Sequence, residues 1–393
     1  MNPAAADIIE QQSSALINVR RHLHQHPELS GSEFETTKYL AEKLDAAGVA
    51  YRIGPDSRGL IVDLGDQSSN QRLALRADLD ALAIQDAKNV EYRSGVEAVM
   101  HACGHDVHSS ILLAAVITLH RLFEQSPPSY AIRAIFQPEE ETAVGAKKMI
   151  EFGALEGVSA IVGAHVDPHR EVGLVGIRSG VICAHCDEIF VDVRGRGGHA
   201  ARPSETIDPV ELAVRFISDC YQAVPRYGDD LKVILSFTML QGGHRQNVIP
   251  DEVKIGGTMR SMDDARRNQA IESMKAIAAK ISEETSAEFT IRFGMEVPSV
   301  VGDESTTKLV RSICEEVLGH DCVQDIAKPS MGGEDFAFYS RQLPAAFIRL
   351  GCKGENTGHH PLHNCQFDVD EDVLSVGAKV MTHVALNFFE QTS

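Results

Sequence analysis

The stretch "HACGHDVH" puts His101, Cys103, His105 and His108 within eight residues. Thiolates and imidazoles are ligands for borderline divalent cations such as zinc, and a thiol can also serve redox chemistry. Cys103 and His105 flank Gly104, close enough to reach one metal or a pair. The turn leads into an apolar helix, and both a helix start and a nearby cation favour thiolate. The same residues also read as a buried cysteine beside a capping Asp106, and the stretch alone leaves both readings open. A second cluster adds carboxylates. In "FQPEEE", Glu139, Glu140 and Glu141 follow the apolar run "AIRAIF" and Pro138, a context that points them at a site rather than along a solvated helix. One such acid can bind metal while its neighbour, perturbed by that cation, handles a proton. Metal-assisted hydrolysis needs several ligands, an open position for water and a base that is not itself a ligand.

The elements that must position these groups follow from periodicity. The pattern predicts helix from about residue 7 to residue 47, broken at "HPELSGSE" by Pro27 and Gly31. Alternation by two points His22, His24 and His26 around that helix, which reads them as ordinary surface residues. Short apolar runs then alternate with helical stretches: "LIVDLG", "RLALRAD", the helix "HSSILLAAVITLHRLFEQ", "YAIRAIFQPEEE" and "SAIVGAHVD". This order predicts an α/β fold with a mainly parallel sheet, whose sites form at the carboxyl ends of strands. Asp78, the three glutamates and His165 all fall at such ends. From about Cys186 the order becomes β-α-β-β-α-β, a ferredoxin-like α+β unit. The expected organisation is a catalytic, metal-binding domain of residues 1–185 and 297–393 interrupted by a smaller domain of residues 186–296.

Composition narrows the function classes. With 393 residues, 43% of them hydrophobic, the chain can bury a sizeable core. Its 37 basic and 56 acidic residues give a net charge of −19, which repels phosphate backbones and anionic membrane surfaces, so neither nucleic acid nor membrane is expected as a partner. No apolar run is expected to reach the roughly 18 residues that span a bilayer. The start "MNPAAADIIEQQ" lacks a signal-peptide layout, and a cytoplasmic location is expected. The eight cysteines are too scattered for a disulfide framework.

Together these blocks make a pattern. "RRHLHQHPELSGSE", "LRADLDAL", "MHACGHDVH", "FQPEEE", "GAHVDP", "GRGGHAARPSETIDP", "NVIPDEVKIGGTMRS", "MGGEDFAFY" and "PLHNCQFDVDED" occur in order over nearly the whole chain. In this the sequence resembles the co-catalytic metallopeptidases and aminoacylases, in particular the amidohydrolase branch with hippurate hydrolase and the plant auxin-conjugate hydrolases. The resemblance implies a centre of two divalent ions (zinc, manganese, cobalt or nickel) on Cys103, His105, Glu141, His165 and His363, with Glu140 as general base. It implies Asp78 and Asp106 as groups that orient ligands, and places Arg76 where the wider superfamily has a ligating histidine. The branch reads Gln-Pro-Ala-Glu-Glu-Gly where this chain has Glu139 and Thr142, so the roles within the acidic triple rest on counting from Pro138. Ser204 stands where relatives often carry histidine.

From the inserted domain, the resemblance implies His199 as the group that stabilises the oxyanion, Asn247 beside it, and Arg260 as the fork that pairs with a substrate carboxylate. Without the resemblance, His199 reads as a turn histidine and Arg260 as a surface strand end. The implied activity is hydrolysis of the amide bond of an N-acyl amino acid by a homodimer whose inserted domain is both lid and dimerisation domain. Two rivals stand beside it: a dipeptidase or carboxypeptidase on the same scaffold, and a catalytically silent, metal-stabilised binding protein, against which Glu140 and His199 weigh. "CAHC" at Cys183–Cys186 lacks the second cysteine pair of a zinc knuckle, and "GRGGHA" lacks the context of a dinucleotide loop. His359 and His360 neighbour His363, and "PLHN" selects the last.

Overall fold

The computed structural model describes residues 2–224 and 233–390. They form two compact units, Met1–Ile182 with Val300–Lys328 and Glu334–Ser393, and Cys183–Ser299 with Pro329–Gly333.

The first unit is built on an eight-stranded sheet in the order Arg52–Ile53, Leu60–Gly65, Ala131–Gln137, Arg72–Asp78, Ala160–Glu171, Ala345–Lys353, Val175–Ile177, Val323–Asp325. The four central strands run parallel to one another. Leu60–Gly65 and Val175–Ile177 are antiparallel to their inner neighbours. The central strands are apolar almost without alternation: Ala131–Gln137 is buried throughout and Arg72–Asp78 at all but its first residue, as expected of strands covered on both faces. Arg133, the charge inside "AIRAIFQ", is neutralised by Asp63 on the adjacent strand at 2.7 Å.

His165 does not end its strand, as the sequence pattern suggested; the strand continues to Glu171. The reason is a change of neighbour. Arg72–Asp78 pairs with it only as far as Gly163, while Ala345–Lys353 goes on pairing past His165. His165 therefore lies just beyond the ladder on its Arg72–Asp78 side, level with Asp78 by the register of the pair.

Helices Pro3–Gln25, His105–Gln125 and Asp372–Asn387 pack on one another. Asn2 caps the first through Ala5 N, with Pro3 in its first turn. The last two cross closely at Gly377, where a β-carbon would come within 2.3 Å of Ile111 Cδ1. The expectation that no run could span a bilayer needs one correction. Helix His105–Gln125 is long and apolar enough by length and composition, but 78% of its most apolar window is buried, which makes it the core helix of this unit.

The second unit is a four-stranded antiparallel sheet in the order Val233–Gly242, Glu252–Ser261, His185–Arg194, Glu288–Val297. Helices Pro209–Ala223 and Asp264–Thr285, capped by Asp208 and Asp263, connect its strands in the β-α-β-β-α-β order. Ile189, Val191 and Val193 alternate inward and pack with Leu212, Phe216 and Met274. Leu231 and Lys232, which begin the apolar run "LKVILSF", lie outside the described residues.

Candidate metal centre

Gly104 opens the site. It caps the His105–Gln125 helix with φ +86°, a left-handed conformation open to glycine, and a β-carbon there would meet Val166 Cγ2 at 2.5 Å. Cys103 and His105 thereby emerge on either side of a turn pressed against the strand that carries His165. Gly104→Ala is expected to destabilise the fold by about 1–3 kcal/mol through backbone strain and this clash. A lower midpoint of thermal unfolding, together with weaker metal binding, is the outcome to measure.

The five candidate ligands gather in overlapping groups. Metal-binding atoms of Cys103, His105 and His165 lie within 4.8 Å of one another, as do those of Cys103, Glu141 and His363, and those of His105, Glu140 and Glu141. Cys103 Sγ is 3.4 Å from His165 Nε2, and His363 Nε2 is 3.4 Å from Glu141 Oε1. His363 reaches this place from a strained backbone, φ +62°, held by a bond from its N–H to the Ala102 carbonyl at 2.8 Å. His105 Nδ1 is taken by the carbonyl and carboxylate of Asp80 at 2.8 and 3.2 Å. Its buried Nε2 has no hydrogen-bond partner among the described residues. Orphaned buried polar atoms are rare, and a mixed sulfur, nitrogen and oxygen set converging on one place suits divalent transition metals. The donors fit two such ions.

The acidic triple divides three ways. Glu139, at φ +57°, turns away to Lys148 at 2.6 Å and Arg58 at 3.2 Å, while its N–H donates to Glu33. Glu141 faces His363 and Cys103, and its N–H donates to Asp80 at 2.9 Å. Glu140 is left between them, Oε2 3.9 Å from His105 Nε2 and Oε1 accepting from Asp335 N–H at 3.3 Å.

The electrostatics fit a cation site. Burial, then Glu334 and Glu141, hold the Glu140 carboxyl well above its usual range. Cys103 and Glu141 push His363 up to about 10. Burial opposes charge on His105, but Asp78 and Cys103 outweigh it and raise the imidazole well above its ordinary value. Burial, then Glu141, also pushes the Cys103 thiol up, against the expectation that the helix start alone would favour thiolate. A divalent ion reverses that balance.

Arg76 supplies a built-in positive charge. Fully buried in the strand that ends at Asp78, it binds Asp78 at 2.7 Å, Asp335 at 2.7 Å and Glu334 at 3.2 Å. Sequence reasoning named Arg76 only by its place in the resemblance and His108 only as part of the opening stretch, and it missed Asp80, Glu334 and Asp335; "RADLD" and "GGEDF", both in the quoted blocks, were the available signals. Asp106 is a correction. It orients no candidate ligand, and instead receives Arg20 Nε at 2.9 Å and pairs with His24 at 2.7 Å. His24 is a correction too, since it is wholly buried between Asp106, Asp86 and Lys88.

The remaining predicted residues lie in the second unit. His199 is exposed on the short strand Gly198–His199, which pairs with Val248–Ile249, and Asn247 adjoins it through a bond from Ala200 N to the Asn247 carbonyl. Arg260 lies on the four-stranded sheet opposite Cys186, and its guanidinium contacts that thiol. The fold brings His199 and Asn247 together and places Arg260 on a separate sheet.

Known proteins share both the sequence and this architecture. The chain is 38% identical over 374 residues to an N-acetyl-L-cysteine deacetylase of Bacillus subtilis, covering 95% of this chain and 87% of that one. It is 35% identical over 379 residues to thermostable carboxypeptidase 1 of Saccharolobus solfataricus, covering 95% of each. The crystal structure of the Bacillus subtilis YXEP protein, described as a dinuclear metal binding peptidase, superposes with a TM-score of 0.82 at 32% identity over 97% of this chain and 99% of that one. A model of one family spans residues 74–387, most of the sequence, and the chain belongs to that family, peptidase family M20/M25/M40.

Proposed function

We propose that this member of the family is a metal-dependent amidohydrolase that frees the amino acid from N-acyl amino acids. The observation that carries this reading is the three-way division of the acidic triple. It leaves one buried carboxylate, Glu140, beside the candidate ligands while Glu141 joins them and Glu139 is tied elsewhere. Two divalent ions on Cys103, His105, Glu141, His165 and His363 would supply Lewis acidity, polarising the scissile carbonyl and acidifying water. Glu140 takes the attacking water's proton on Oε2 and later passes it to the leaving amine. Asp80 fixes the tautomer of His105 by accepting its Nδ1 proton, which leaves Nε2 for the metal. The N-acetylcysteine deacetylase at 38% identity supports an acyl substrate.

In the same reading the inserted unit is a lid and dimerisation domain. It contributes His199 to oxyanion stabilisation with Asn247 beside it, and Arg260 to the substrate's free carboxylate. Support for pairing of two copies comes from its edge strand Val233–Gly242, which is exposed over its second half, with Met239 51% and Leu240 48% accessible. The carboxypeptidase relative favours one second reading, peptide substrates, which share the same free carboxylate. Assaying the metal-loaded protein against acetyl, benzoyl and indoleacetyl amino acids and against dipeptides separates the two. Turnover of dipeptides alone would select the peptidase.

Arg260→Ala gives a sharper result. Loss of a charge-assisted bond to carboxylate is expected to lower kcat/KM for N-acyl amino acids by roughly 10–100-fold. The corresponding amides, which lack that carboxylate, should change little. Equal losses on both would make Arg260 a structural residue.

A further inference from the structure

The proposed ligand set leaves His108 without a role, although it is one helical turn from His105 and wholly interior. Its ring lies 4.5 Å from that of His165 and 5.5 Å from that of His105. Asp78, His105 and His108 place their ligand atoms within 4.8 Å of one another, so a third metal-binding trio is the first thing this geometry suggests. The hydrogen bonds argue otherwise. His108 Nε2 receives the backbone N–H of Val166 at 2.9 Å. A backbone N–H can only donate, so Nε2 must be the bare nitrogen. The proton is then on Nδ1, where it is donated to Asp78 Oδ1 at 2.6 Å. Both ring nitrogens are used, and no lone pair remains for a cation.

We propose that His108 is a positioning residue that sets the orientation of His165, and that it is not itself a ligand. The Val166 nitrogen it grips belongs to the peptide bond that follows His165, and the Val166 carbonyl meets His165 Nδ1 at 2.8 Å. With Nδ1 engaged there, His165 Nε2 faces Cys103 Sγ. The other end of the strut is equally fixed. Asp78 is bound by Arg76 at 2.7 Å, and its backbone carbonyl receives the hydroxyl of Ser109, the residue after His108. One imidazole thus ties the start of helix His105–Gln125 to the end of strand Arg72–Asp78 and to the backbone beside His165. These are three of the segments that must hold their spacing for the candidate ligands to meet. A leucine or phenylalanine could fill the volume but would leave the buried Val166 N–H unsatisfied and Asp78 short of a donor.

This inference rests on the two-metal reading above, and its test separates the two. The full-length metal-free protein and its His108→Gln and His108→Asn variants are titrated with cobalt(II), followed by calorimetry and by thiolate-to-cobalt absorption. Gln keeps an acceptor near the Nε2 position and Asn a donor near the Nδ1 position, so each variant retains one of the two bonds. Each is expected to bind at least one cobalt equivalent roughly 10–100-fold more weakly, with an altered absorption band. Variants that lose apo stability yet bind cobalt as the parent does would overturn the positioning role and leave His108 a packing residue. A parent protein that binds no cobalt would overturn the metal reading itself and this inference with it. A second measurement needs no substitution: imidazole nitrogen resonances of the zinc-loaded parent should show His108 protonated on Nδ1, bare on Nε2 and free of zinc. A zinc-bound or Nε2-protonated His108 would refute the assignment even if neither variant folds.

Discussion

Glu140→Gln is expected to bind two metal ions as the parent does and to lose roughly 10²–10⁴-fold in kcat, the range that general-base catalysis contributes. The amide keeps the shape of the side chain and can still accept the Asp335 N–H bond at Oε1, so the local fold should survive. What it cannot do is take a proton. Glu141→Gln should behave in the opposite way. Its oxygen is part of the Cys103, Glu141 and His363 group, so this change should lower metal stoichiometry first and activity only in consequence. Elemental analysis and kcat at saturating metal distinguish the two variants. An exchange of phenotypes would mean that Glu141 is the base and that the reading of the triple is displaced by one residue. Glu139→Gln, at a side chain that pairs with Arg58 and Lys148 and is in none of the ligand groups above, should leave both quantities close to the parent.

The division within the triple shows what could be read in advance and what could not. Strand ends were legible because each buried run is mostly apolar, interrupted by a single arginine, up to a polar stop, as "LALRAD" is up to Asp78 and "AIRAIFQ" up to the glutamates. Alternation of strand and helix then placed those stops on one edge of a parallel sheet. The β-α-β-β-α-β element order of the second unit was legible from periodicity, whereas its sheet order, 2-3-1-4, is seen only in the structure. The separate fates of Glu139, Glu140 and Glu141 were not legible, because they depend on a positive φ at Glu139 and on Arg58 and Asp335, far away in the chain. His24 failed for the same reason. Helical periodicity says which way a side chain points, but a buried histidine on a polar face needs a partner, and here the partners come from residues 86, 88 and 106. His165 was found as a strand-end residue although its strand runs on, because its place beyond the ladder was created by where the neighbouring strand's pairing stops rather than by its own termination.

The buried charge at Arg20 carries the second large expectation. Arg20→Met should destabilise the protein by about 3–5 kcal/mol, the usual effect of removing one partner from a buried ion pair. Arg20 is fully buried and binds Asp106 and Asp368 at 2.9 Å each and Glu371 at 3.3 Å. Methionine would fill much of the space but leave Asp106 and Asp368 without their countercharge. Those carboxylates join three distant parts of the chain: the first helix, the residue after His105, and the segment just beyond His363. The ring of Tyr92 stacks 4.8 Å from the guanidinium, and its hydroxyl donates to Asp368 at 2.8 Å, so the network is closed on that side as well. Arg20→Lys should recover only part of the loss, because an ammonium cannot span three carboxylates as the guanidinium fork does. The expected measurement is a urea midpoint that falls sharply in the methionine variant and by less in the lysine variant, with the slope unchanged. In a double variant, Asp368→Asn should relieve part of the Arg20→Met loss, since one of the uncompensated charges is gone; the coupling between the two changes isolates their pairing. A methionine variant within 1 kcal/mol of the parent would show that the cluster is solvated on opening and does not hold the first helix to the metal-binding turn.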